Sequence, residues 1–154
     1  MYIKLTSLHK FTFCVFLLSC FIGNAQITTT KNNVAATLAA RIAGNGIVVS
    51  NAALTCHNDA VGFFDASTIN IGVNAGVILS TGDIADAEGV GGLLGGDGSS
   101  NLGAGGYPDL NGIARNTTYD RCVLEFDLED TSSQFLFEYV FASEEYLTYV
   151  GTGY

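Results

Sequence analysis

The sequence predicts a mainly β domain, an antiparallel β-sandwich of jelly-roll-like form with one short N-terminal helix. Several short apolar runs are bounded by turn-forming residues, which is the pattern of a sheet built from short strands. The chain holds 19 glycines and one proline, Pro108, a composition suited to many tight turns. A single early stretch carries helical rather than alternating periodicity. At 154 residues, 48% hydrophobic and 14% charged, the chain has material for one folded domain and is not a disordered polar tail.

Residues 1–25 read as a signal peptide and 26–154 as the domain. Lys4 and Lys10 form a basic start, and 11–22 is an apolar run of signal-peptide length. Gly23, Asn24 and Ala25 are the small residues a signal peptidase reads, with Gln26 as the mature start. The run is short for a membrane span. A lipoprotein site ending in Cys20 is the alternative, opposed by the bulky Leu18 and the apolar Phe21 and Ile22.

Residues 27–33 read as a polar lead-in. Asn33 is placed to cap a helix running to about Ala43, with Val34, Leu38 and Ile42 on one apolar stripe and a stop at Gly44-Asn45-Gly46. Strands are expected at 47–54, 60–64 and 76–80, with a shorter one at 68–71 and a turn through His57-Asn58-Asp59. Residues 89–106 hold nine glycines in 18 positions and read as a long surface loop. They lack the spacing of a phosphate cradle. Tyr107 to Leu110 turn into a short helical or irregular segment ending near Asn116, where Asn116-Thr117-Thr118 fits a glycosylation sequon. Residues 121–128 form the next strand, with Cys122, Leu124, Phe126 and Leu128 on one face and Glu125 and Asp127 on the other. After a turn at 129–133, the stretch 134–142 is expected to pair with it as a central strand. In that stretch Phe135, Phe137, Tyr139 and Phe141 share one face, and Leu136, Val140 and Ala142 lie on the other.

Without residues 1–25, four Lys and Arg remain against 15 Asp and Glu. Such a surface repels phosphate backbones and argues against nucleic acid as a partner. Two cysteines remain, Cys56 and Cys122. In an oxidising compartment they read as one disulfide, and two buried thiols are the alternative.

Thr118-Tyr119-Asp120, the strand 123–127 (VLEFD) and above all 137–146 (FEYVFASEEY) resemble the choice-of-anchor L domain of exported bacterial proteins. Residues 76–82 (GVILSTG) resemble that family's GxxLSTG-type strand, and Pro108-Asp109-Leu110 its acidic turn. The resemblance spans roughly 33–154. It implies a non-catalytic, secreted or cell-surface module, followed in the family by varied anchoring signals. It also implies a strand beyond Tyr154, so the sequence looks incomplete at that end, with any membrane anchor outside it.

The residues offer little to catalysis, and no enzyme is expected. His57 is the one histidine after residue 25, and no GxSxG or HExxH occurs. Glu144 and Glu145, adjacent in an extended segment, point apart and do not make a glycosidase pair. As hard oxygen donors, Glu144, Glu145 and Asp120 are the candidate calcium ligands, with Asp83 and Asp109 at other loop ends; solvated acids are the alternative. Two functional readings lead. One is an interaction or adhesion module meeting an extracellular protein or glycan. The other is a carbohydrate-binding accessory domain of a secreted enzyme, with Tyr107, Tyr119, Tyr146, Tyr149 and Tyr154 as stacking faces. A hydrolase in its own right has no residue in its favour.

Overall fold

The computed structural model describes residues 26–88, 100–129, 136–143 and 151. Two small antiparallel sheets and two helices pack together, a mixed α/β arrangement. One sheet has the order β1-β3-β4, from Thr28–Lys31, Val61–Asp65 and Ala75–Leu79. The other pairs β2, Val48–Thr55, with β5, Val123–Glu129. Helix α1, Ala35–Ala43, packs mainly on β2 and also meets β4 and β5, so it bridges the two sheets.

The chain forms α1 because Leu38, Ala39 and Ala43 fall on one face and are buried there, with small alanines letting the helix approach closely. The buried stripe is displaced from the expected one: Val34 is 52% exposed. Val34, not Asn33, occupies the cap position, and its backbone N–H donates to Asn32 Oδ1. The Asn33 side chain instead donates to Asn58 Oδ1 at 3.0 Å. Gly44 ends the helix at φ 76°, donating to the Ala40 carbonyl.

Strand β3 is central in its sheet and lines the core with Ala60 before it and Val61 at its start, both buried, together with Ile84. At Gly62 a side chain would strike the Thr30 carbonyl and the tip of Ile84, so only glycine lets β1 and Ile84 close over this strand. Ile84 opens a 3-10 turn, Ile84–Ala87, capped by Asp83, whose Oδ1 accepts from Ala85 N at 2.9 Å.

Three expectations are corrected. Residues 28–31 form an edge strand rather than a lead-in. Residues 68–71 are a turn: Ser67 N donates to Asp65 Oδ1, and Thr68 exchanges hydrogen bonds with the Gln26 backbone, which diverts the chain from a ladder. A second helix exists, α2, Pro108–Ala114, begun by proline at its first turn.

The stretch taken as a central strand is also corrected. Residues 136–143 are irregular and exposed, and the ladder partner of β5 is β2. Leu136, Tyr139 and Phe141 are each at least three-quarters exposed, and the rings of Phe137 and Tyr139 stack with centroids 6.1 Å apart. The alternating pattern specifies a face, but a ladder also needs a partner edge, and β5 is joined to β2 through the Cys56–Cys122 bridge. The turn at 129–133 and Phe135 fall mostly outside the described residues.

Candidate functional site

Strands β2 and β5 meet in register, Thr55 opposite Val123, and the next residues outward, Cys56 and Cys122, form a disulfide. The expected pair is thus made, at the end of a ladder where two neighbouring strands already hold the cysteines close. Just beyond, a stretch of the glycine-rich segment runs beside 118–121. Asp120 N donates to the Ala104 carbonyl at 2.8 Å, Ala104 N returns a bond to Asp120 Oδ1 at 2.8 Å, and Arg121 N donates to the Gly105 carbonyl. Thr118 extends the latch: its hydroxyl accepts from Tyr107 N and donates to Asn111 Oδ1. A Cβ at Gly106 would run into the Thr118 backbone, so glycine is required where these segments touch.

Between this latch and the end of β2 lies an open cleft of about 390 Å³, walled by Leu54 to His57 on one side and by Ala104, Gly105 and Arg121 on the other. The Arg121 guanidinium donates from one nitrogen to the Gly106 carbonyl at 3.0 Å. His57 Nδ1 accepts from Asp59 N at 3.2 Å, which leaves its proton on Nε2. Asp59 Oδ2 lies 3.5 Å from that same Nδ1.

A second cluster lies on the other side of the His57–Asp59 turn. Lys31 Nζ donates to Asp59 Oδ1 at 2.8 Å and to Asp83 Oδ2 at 2.7 Å. These bonds raise the Lys31 pKa, Asp59 contributing most. Asp83 is held below the usual carboxylate range, first by Lys31 and then by the Ala85 N–H. Ser100 joins the cluster, its hydroxyl accepting from Asp83 N and donating to Asp86 Oδ2, both at 2.6 Å. The cluster ties β1, the turn before β3 and the 3-10 turn together.

The expected calcium ligands are only partly placed. Glu144 and Glu145 lie outside the described residues. Asp120 spends Oδ1 on Ala104, Asp83 has both oxygens engaged, and Asp109 sits exposed in the first turn of α2. Among the described residues no three His, Cys, Asp or Glu side chains come together as a metal site. Of the tyrosines, Tyr119 is 72% exposed and Tyr107 is half-buried; Tyr146, Tyr149 and Tyr154 are not described. No helix among the described residues is long and apolar enough to cross a membrane.

Sequence reasoning passed over Arg121, Gly105 and Lys31. Arg121 reaches the cleft from a residue following Asp120, which has φ 50°, and no local pattern announces a positive φ at aspartate. The sequence model described as the choice-of-anchor L domain matches residues 26–154. The chain belongs to the choice-of-anchor L family. It is therefore a non-catalytic module of a family associated with exported bacterial proteins. No match was found among curated proteins or solved structures. In this choice-of-anchor L domain the disulfide, the latch and the cleft adjoin one another at the end of the β2–β5 ladder.

Proposed function

We propose that this choice-of-anchor L domain is an exported interaction or adhesion module, displayed outside the cell once residues 1–25 are removed as a signal peptide. The family match over 26–154 carries this reading. Support comes from the oxidised Cys56–Cys122 pair, which persists in oxidising compartments, and from the exposed aromatic stretch 136–143. The test has two parts. Mass spectrometry of the exported protein should give an N-terminus at Gln26, and protease added to intact cells should remove the domain. A protein retained inside the cell with residues 1–25 attached would refute the reading.

A second reading, a carbohydrate-binding accessory domain, is favoured by the open cleft beside β2 and by the exposed ring of Tyr119. Retention on immobilised glycans, compared with retention on immobilised protein extracts, separates the two.

A further inference from the structure

We infer that the cleft between the disulfide end of β2 and the latch is a binding site for a carboxylate-bearing ligand of monosaccharide size, a uronic acid residue of an acidic glycan. The inference deepens the carbohydrate-binding reading and rests on it.

The cleft is chemically unlike the rest of the molecule. The chain has 15 Asp and Glu, and among the described residues none lines the cleft. One of its three arginines, Arg121, and the one histidine after residue 25, His57, both do. A guanidinium has five N–H donors in a planar fork that matches a carboxylate. Among the described residues only the Gly106 carbonyl takes one of them, and no carboxylate pairs with Arg121. His57 is oriented by its Nδ1 bond, so Nε2–H is a second donor. One cation, Arg121, which no described carboxylate pairs, beside the Nε2–H donor of His57, selects an anion that the acidic surface around it repels.

The donors are also held in place. A Cβ at Gly105 would come within 2.9 Å of an Arg121 guanidinium nitrogen, so glycine leaves the fork its position. The paired bonds between Asp120 and Ala104 fix the backbone that carries Arg121, and the disulfide fixes Cys56 beside His57. Preorganised donors lose little entropy on binding. A volume near 390 Å³ lies within the range of small-ligand sites. The open form, with the hydroxyl-bearing Thr55 among the lining residues, suits a hydroxylated ring better than an apolar peptide side chain.

The test is titration of the full chain, labelled with ¹⁵N, with galacturonate, galactose and N-acetyl-alanine at low salt. The expected result is millimolar binding of galacturonate, with amide shifts confined to 54–57, 104–106 and 121, and at least tenfold weaker binding of galactose. Arg121→Gln should lose the shifts, and Gly105→Ala should weaken binding about tenfold. Because Arg121 also steadies Gly106, His57→Ala serves as a variant outside the latch and should weaken binding several-fold while the amide spectrum away from the 57–59 turn stays that of the folded wild type. Galacturonate shifts that are absent, or that survive in both Arg121→Gln and His57→Ala, would overturn the site. N-acetyl-alanine binding as well as galacturonate would overturn the sugar as its ligand. Glycan retention that persists after the cleft is disabled would overturn the site and leave the carbohydrate-binding reading standing.

Discussion

The Asn51 side chain donates to Asp127 Oδ2 at 2.6 Å across the β2–β5 ladder, at the point where the register shifts by one residue between Ser50 and Ala53. Asn51 has φ 53°, the left-handed conformation of a bulge residue, and asparagine tolerates it better than most side chains. The bond and the bulge are one device: the extra residue is absorbed, and the side chain that absorbs it grips the opposite strand. Asn51→Ala is therefore expected to cost roughly 1–2 kcal/mol, from a lost hydrogen bond and a strained φ. Asn51→Gly should cost less, because it keeps the backbone conformation. Urea denaturation of both variants measures the difference, and equal losses would assign the whole effect to the side-chain bond.

Gly62→Ala should be more damaging, because a Cβ there meets the Thr30 carbonyl and Ile84 at the centre of the three-stranded sheet. Overpacking of this kind costs about 1–3 kcal/mol. The readout is the urea midpoint, with the alanine variant shifted lower and Ile84→Val in the same background recovering part of the loss.

Removing the Cys56–Cys122 bridge releases a loop with a sequence separation of 66. Loop-entropy reasoning gives about 4 kcal/mol for a loop of that length. The Cys56→Ser, Cys122→Ser double variant should lose about that much, and the wild-type protein in reductant should match it.

Asp83, Asp65 and Glu88 are all held below the usual carboxylate range. Lys31 acts first on Asp83, Ser67 on Asp65 and Thr29 on Glu88, each through a side-chain hydrogen bond. A lowered folded pKa means that the unfolded chain binds protons first, so this stability is present above about pH 4 and is lost as pH falls through the folded values. Lys31 has the opposite sign: its share is complete below about pH 10.4 and is lost as pH rises through its raised value. Thermal unfolding followed from pH 6 to 2 should fall less steeply in Asp83→Asn than in the wild type. Parallel curves would show that Asp83 is not linked to acid unfolding.

Asp120 separates a structural from a metal-binding role. Its Oδ1 accepts from Ala104 N in the latch, and Asp120→Ala is expected to cost about 1–2 kcal/mol in calcium and in chelator alike. A loss confined to calcium buffer would assign Asp120 to a ligand set with Glu144 and Glu145.

What was legible in the sequence was local. Strand β5 shows the expected alternation, with Leu124, Phe126 and Leu128 half-buried and Glu125, Asp127 and Glu129 exposed. The helix stop at Gly44 and the strands near 48–55, 61–65 and 75–79 follow from turn chemistry and apolar runs. Partnership between strands was not legible. Thr28 to Lys31 look polar because an edge strand shows most of its side chains to water, and only Ile27 beside them is buried. The aromatic alternation at 137–141 was read as a buried strand because period alone does not say whether an edge is available. The cleft was hidden for a similar reason: Arg121 and His57 are 64 positions apart and are brought to one cleft by a disulfide and a backbone latch. The cysteines themselves were readable because their chemistry needs only each other.

The bridge has a mechanical consequence. If the module is pulled through its two ends, tension entering near Cys56 crosses directly to Cys122 and bypasses the chain between them. At about 3.5 Å per residue, the separation of 66 conceals about 230 Å of extension. While the bond is intact, β3, β4 and the cleft wall formed by Ala104, Gly105 and Arg121 lie within the bridged loop and are bypassed by the load, and only segments outside the bridge can lengthen. Reduction would turn a short, stiff link into a long, compliant one.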